Sequence, residues 1–402
     1  MRRTVFWSAV GTVVTTYVLF PLFVLARARL HPRPHESAEI TPSVTLIVAA
    51  HNEAADIGAK LENILALDYP ADRLQVVIAS DGSDDGTDEI VRRFARSGVQ
   101  LLSLPRAGKA AALNAAAAVA EGEILVFSDA NSIYAADAVR ALVKPFADPT
   151  VGGVAGDQRY VDDLASGPVS SGEQGYWDFD RVMKRAESCA DNVISATGAI
   201  YAVRARLFGQ VPEGVTDDFY TSTGVIAQGF RLVFAPDAVA FEPVARSANL
   251  EFSRKVRVMT RGLRAVLLRR ALLNPRRHGL YSVQLFAHKV LRRVMVFPLA
   301  AIAVTSPLLW RRGVLYRTAT LLQAGFYGLG GLGMMLSHRQ VGRRKILMLP
   351  AFFCFVNAAA ARATWNAVSG RRIDRWEPQR TVDPEAADER ASKTVAAESA
   401  DR

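Results

Sequence analysis

Four short polar clusters carry the groups best suited to chemistry: His51-Asn52-Glu53, the run Asp81-Gly82-Ser83-Asp84-Asp85-Gly86-Thr87, Asp129-Ala130-Asn131 and Thr216-Asp217-Asp218. Asp129 and Asn131 stand two apart after the apolar run Ile124-Leu125-Val126-Phe127. In an extended segment such positions face the same side, and two hard oxygen ligands there can hold Mg²⁺ or Mn²⁺, with phosphates and water completing the shell. The same residues read equally well as a helix start, with Asn131 or Ser132 as the cap. The density of Asp and Gly in 81–87 is what a tight strand-to-helix turn needs, with Thr87 as its cap. An aspartate at position 81 can also accept hydrogen bonds from base N–H groups or ribose hydroxyls. Two adjacent carboxylates at 217 and 218 read, by themselves, as a solvated loop.

The elements that would position these clusters follow from hydrophobic patterning. Residues 44–50, 74–80, 99–104 and 123–128 are short apolar runs, most with β-branched residues, and 54–67, 88–96 and 109–120 between them have helical spacing or composition. Such alternation predicts an α/β fold with a mostly parallel sheet covered by helices on both faces. Ligands of such sheets bind beyond the carboxyl ends of the strands, where three of the clusters fall.

Residues 5–25 contain no charged side chain, and about 20 apolar residues suffice for a membrane-crossing helix. A secretory signal is the rival reading, but its apolar core is shorter, and this run exits into Arg27, Arg29 and Arg33. Three more apolar stretches, 294–310, 318–336 and 346–361, close the chain. Cys189 and Cys354 are the only cysteines among 402 residues, which argues against a disulfide framework and for a reducing compartment. The formal net charge of +10 is concentrated: from Arg254 to Arg293 there are twelve Lys or Arg and no Asp or Glu, just before the first C-terminal apolar stretch. That placement fits the cytoplasmic side of a membrane rather than a nucleic-acid partner, for which no recognition motif is present.

In order and spacing, these pieces resemble the family 2 glycosyltransferases. The resemblance runs over about 43–263: Ala49-Ala50-His51-Asn52-Glu53, the 81–87 turn, Gly108-Lys109 with Leu113-Asn114, Asp129-Ala130-Asn131, Thr197-Gly198-Ala199-Ile200-Tyr201 and Thr216-Asp217-Asp218. It implies a GT-A nucleotide-sugar-binding domain, with a nucleotide sugar, a UDP-sugar by expectation, as donor. It further implies that Asp129 and Asn131 sit in the metal-binding Asp-x-Asp position. Asp81, Asn52, Glu53, Lys109 and Gly198 would lie at the donor, and Asp218 would be the general base of an inverting displacement. Two departures stand out. Asn131 replaces a carboxylate with a neutral, weaker ligand. The stretch Val258-Met259-Thr260-Arg261-Gly262 keeps only the arginine of Gln-x-x-Arg-Trp. The missing tryptophan belongs to the acceptor platform of processive members, so single transfer is expected over a processive polysaccharide synthase. Arg257, Arg261 and Arg264 opposite Val256, Met259 and Leu263 suit an amphipathic helix on the membrane surface, with Arg257 or Arg261 as contacts to the donor diphosphate or a phospholipid acceptor.

The expected organisation is an anchor at 1–30, the GT-A domain at 43–250, a basic interfacial segment at 251–293, two or three spans within 294–368 and a disordered tail at 373–402. The catalytic domain faces the cytoplasm of a multi-pass cell-membrane protein, and the acceptor is lipid-linked or a glycan. Arg371, Arg372 and Arg375 would also prefer the cytoplasm, so one apolar stretch is expected to lie flat or re-enter. A non-enzymatic, receiver-like or nucleotide-binding membrane module is the alternative from another class.

Overall fold

The computed structural model describes residues 1–161, 169–243, 248–336 and 344–371. The expected tail at 373–402, with Arg372 and Arg375, lies outside the described residues. The centre of the fold is an eight-stranded sheet: β1 (Val44–Ala50), β2 (Leu74–Asp81), β3 (Val99–Leu104), β4 (Ile124–Asp129), β5 (Ile133–Tyr134), β6 (Val151–Val161), β7 (Tyr201–Arg204) and β8 (Arg231–Pro243), in the order β3-β2-β1-β4-β7-β6-β8-β5. Strands β3, β2, β1 and β4 are parallel to one another, as are β6 and β8. Only β7 and β5 run against their neighbours. The first four strands match the four apolar runs, and the intervening helices are Ile57–Leu65, Thr87–Arg93 and Lys109–Ala118.

Strand β1 is buried along its whole length, because helices cover both sheet faces. Val44, Leu46 and Val48 pack with Ile57, Leu61 and Ile64 on one face, while Ile47 and Ala49 pack with Ala112, Leu113 and Ala116 on the other. Each such Leu or Ile removed from water contributes about 1.5–3 kcal/mol, and the two-sided demand explains an unbroken apolar run rather than an alternating one.

The far half of the sheet obeys a different logic. Strand β6 carries Gly152, Gly153 and Gly156, residues that ordinarily weaken strands. A methyl group at Gly152 would come within 2.6 Å of Leu207 and Phe230, and one at Gly156 within 2.7 Å of Ile200 and the Ala238 carbonyl. These glycines let neighbouring layers approach the backbone directly.

Among the described residues, the helices Arg2–Leu30 and Lys345–Val368 are each long and apolar enough to cross a membrane. The pair Pro275–Leu291 and Val296–Leu308, bent by 62°, passes only together. The stretch expected at 318–336 forms the helix Val314–Met335 but falls short of that test, its apolarity diluted by Gln323 and five glycines. The basic segment opens with the helix Ala248–Leu268.

Candidate active site

The ends of β1 and β2 are laced together before any ligand is considered. Asn52, the only described non-glycine residue with positive φ (54°), donates its amide to Asp84 at 2.8 Å and accepts the Asp84 N–H at 3.0 Å. The Glu53 N–H reaches the Thr87 hydroxyl at 2.9 Å, and the Ala54 N–H reaches Asp85 at 2.9 Å. Asn52, Asp84, Asp85 and Thr87 therefore hold two strand-end loops in register. Asp85, which also takes the Thr87 N–H and hydroxyl, has its carboxyl lowered against the push of burial by these hydrogen bonds.

Asp81 is 1% exposed and turned toward the loop after β3. It accepts the N–H groups of Ala107 at 2.6 Å and Gly108 at 2.9 Å and pairs with the Arg106 guanidinium. The sequence reading placed Asp81 against a nucleotide base. In the structure its carboxylate anchors residues 106–108, which enter the helix bearing Lys109.

Lys109 is the centre of the cleft. Its ammonium lies 2.7 Å from Asp129 and 3.1 Å from Asp217, and these carboxylates raise its pKa against the pull of burial. Asn114, one helical turn further along, exchanges two 2.9 Å hydrogen bonds with the Val211 backbone. That tie carries the loop 211–216 over Lys109. A small cavity results, lined by Gly108, Lys109, Glu213, Gly214, Asp217 and Arg261. Arg261 thus joins the cleft from the basic helix. Arg257 is partly buried on the same helix but does not line this cavity.

Gly198 belongs here for a steric reason. A methyl group at that position would sit 2.8 Å from an oxygen of Asp129, so glycine leaves room for the carboxylate. Beneath it, the Tyr201 ring stacks on Phe127 with centroids 4.8 Å apart.

Asp218 lies in the first turn of the helix Asp217–Ala227 and accepts the Phe219 N–H at 2.6 Å. Its carboxyl is pushed up to about 7, first by burial and then by the neighbouring Asp217, with the Phe219 N–H, Lys109 and Lys289 opposing. A carboxyl with that pKa can accept a proton near neutral pH.

No group of three or more His, Cys, Asp or Glu able to cage a metal occurs among the described residues. Mg²⁺ needs no such cage, since it keeps several waters and binds through one or two carboxylates plus substrate phosphates. Asp129 keeps about a third of its side chain exposed and already attracts the Lys109 cation, and Asn131 is partly exposed two residues on. A carboxylate and an amide oxygen, with phosphate and water to complete the shell, are a donor set that suits Mg²⁺ or Mn²⁺.

Sequence reasoning missed the support under this motif. Lys60 is fully buried, donates to the Ser132 carbonyl at 2.5 Å, and stands 3.9 Å above the Tyr134 ring. Burial lowers its pKa to about 7, with Asp129 and Glu242 opposing. Glu242, whose carboxyl burial and then Asp129 push up, accepts the Ser132 hydroxyl at 2.5 Å and the Gln158 amide at 2.6 Å. A lysine sharing the apolar stripe of Ile57, Leu61 and Ile64 was the available signal.

The sequence signature described as Glycosyl transferase family 2 matches residues 45–206. The β-monoglucosyldiacylglycerol synthase of Synechocystis sp. is 39% identical over 116 residues, 28% of this chain and 24% of that one. The poly-β-1,6-N-acetyl-D-glucosamine synthase of Staphylococcus aureus is 26% identical over 273 residues, 66% of this chain and 65% of that one. The chain therefore spans under two thirds of the length of either. Among solved structures, the mannosyltransferase PcManGT from Pyrobaculum calidifontis, in complex with GDP-Man and Mn²⁺, superposes with a TM-score of 0.70 at 28% identity, covering 92% of this chain and all of that one.

Proposed function

Because residues 45–206 are a family 2 glycosyltransferase domain on a GT-A fold, we propose that this protein transfers a sugar from a nucleotide-sugar donor to an acceptor hydroxyl, by a single inverting displacement at the cytoplasmic face of the cell membrane. The observation that supports this most is the convergence of Lys109, Asp129, Asp217 and Arg261 on one cleft, with Asp218 beside Asp217. A non-enzymatic module would leave that convergence without a purpose.

In this reading, Asp218 removes the proton of the acceptor hydroxyl as its oxygen bonds to the anomeric carbon, and the bond from that carbon to the donor phosphate breaks. Lys109 and Arg261 bind the diphosphate and balance its growing charge. Asp129 and Asn131 would hold Mg²⁺ or Mn²⁺, which when bound supplies further positive charge to the departing nucleotide diphosphate. The Mn²⁺ and GDP-Man complex of PcManGT supports a metal-assisted nucleotide sugar. Asp81 acts on the donor site through the 106–108 loop, and Asn52 and Glu53 through the loop pairing, while Gly198 gives the Asp129 carboxylate its space.

The anchor at 1–30 and the last span bracket the domain, and the segment 251–293 lies along the membrane surface. The acceptor is lipid-linked or a cell-surface glycan. Likeness to a polymer synthase favours a second reading, processive extension, which Gly262 in place of tryptophan opposes. Product length separates the two. Asp218→Asn tests the main reading: transfer collapses while donor binding persists, and full transfer in that variant would remove the base assignment.

A further inference from the structure

The loop that carries Asp129 and Asn131 is fixed at both ends, and its far end is held by buried charged side chains. At the near end, Asp129 is the last residue of β4 and pairs in register with Ala49 of β1. At the far end stands Ser132, fully buried, whose N–H turns back to the Asp129 carbonyl at 3.3 Å. Lys60, also fully buried, donates to the Ser132 carbonyl at 2.5 Å. One turn further along the same helix, Asn63 exchanges hydrogen bonds of 2.9 and 2.8 Å with the Tyr134 carbonyl and N–H. From β8, the buried Glu242 accepts the Ser132 hydroxyl at 2.5 Å, while the Gln158 amide reaches its other oxygen at 2.6 Å. Strand pairing puts Glu242 there: Tyr134 lies against Ala240 and Ile133 against Phe241, so Ser132 and Glu242 are the next pair along.

Stability alone gives no account of this choice of residues. Burying a lysine and a glutamate is costly, and apolar groups of similar volume in their place are often as stable or more so. The helix Ile57–Leu65 already has Ile57, Leu61 and Ile64 to seat it on the sheet. What an apolar pair could not supply is a hold on both polar groups of Ser132, its carbonyl from the helix and its hydroxyl from β8. We propose that Lys60 and Glu242 are positioning residues for the candidate metal motif: by fixing Ser132 they hold Asn131 in register with Asp129, so that amide and carboxylate act as one donor set. The inference rests on the metal-assisted reading above, in which neither residue touches the reacting atoms. Outer groups that orient ligands typically account for about 10–100-fold in metal affinity. A motif whose second ligand is a neutral amide depends on that orientation more than one with two carboxylates.

The test reads Mn²⁺ binding by the full chain in neutral detergent micelles, from the loss of the free-ion paramagnetic resonance signal, with UDP and, in turn, GDP present. Asp129→Ala defines the binding that belongs to this motif. Lys60→Met, which keeps the side-chain bulk and removes its donors, and Ser132→Ala, which removes only the hydroxyl link to Glu242, each raise the Mn²⁺ Kd about tenfold or more. Glu242→Gln, which still accepts that hydroxyl, keeps most of the affinity. Raising Mn²⁺ restores nucleotide binding in Lys60→Met, whose ligands are intact, and not in Asp129→Ala. Leu61→Ala is the control for destabilisation alone: it loosens the same helix without touching the turn and leaves the Mn²⁺ Kd unchanged. If Lys60→Met does not fold, Ser132→Ala carries the test. An unchanged Kd in either folded variant, or an equal rise in Leu61→Ala, overturns the positioning role while leaving the Asp129-dependent metal site intact. A parent chain that binds no Mn²⁺, or binds it equally well after Asp129→Ala, overturns the metal assignment and this inference together.

Discussion

At the scale of single residues, the proposed transfer depends on how unlike two adjacent carboxylates are. Asp217 is paired to Lys109, whereas Asp218 is pushed up to about 7 by burial and by Asp217 itself. A base works in its deprotonated form, so kcat/KM should climb as pH rises toward about 7 and level off above it. Asp218→Asn should remove that limb and lower kcat by about 10²–10⁴-fold, the usual contribution of a positioned base. An unchanged pH profile in Asp218→Asn would assign the limb elsewhere. Gly198 makes a second, steric prediction. Alanine there meets Asp129 at 2.8 Å, so Gly198→Ala should weaken Mn²⁺-dependent donor binding by about tenfold or more, equivalent to some 1.4 kcal/mol, with little change in thermal stability. Isothermal titration with the nucleotide sugar and Mn²⁺ reads this directly.

At the scale of elements, the first half of the domain was legible because its determinants are local. Four apolar runs became β1 to β4 within a residue or so, and the Asp-Gly turn and the Asp-x-Asn pair fell at strand ends as patterning required. The second half was not legible in the same way. The glycines of β6 argue against a strand on propensity and are explained by the close approach of Leu207, Phe230 and Ile200, which only the folded sheet creates. Lys60 is a tertiary fact too, since it lies 72 positions from Ser132, whose carbonyl it reaches. Asp81 was found correctly as a strand-end aspartate, but its hold on the 106–108 loop could not be read from a chain that places those residues 25 or more positions away. The sheet and its helices also carry a stability prediction. Leu61 is fully buried between the helix Ile57–Leu65 and β1, so Leu61→Ala should destabilise the domain by about 2–5 kcal/mol. Chemical denaturation checks this, and a loss under about 1 kcal/mol would mean that the helix is not seated on the sheet as described.

At the scale of the whole molecule, charge and apolarity are unevenly spread along the chain. The twelve cations between Arg254 and Arg293 lie between the sheet domain and the C-terminal apolar helices, and Arg261 reaches the cleft from this segment. A cytoplasmic reporter fused after residue 250 should be active in cells and a periplasmic or extracytoplasmic reporter silent, with the reverse result moving the domain across the membrane. The central claim is glycosyl transfer from a nucleotide sugar, and release of nucleoside diphosphate from a panel of nucleotide sugars tests it most directly. The full chain in micelles, with Mn²⁺ and a lipid acceptor, should release the diphosphate from one donor class, dependent on Asp129 and Asp218 and accompanied by a glycosylated lipid. Absence of release and of binding across the panel, with Mg²⁺ and Mn²⁺ each supplied, would contradict it.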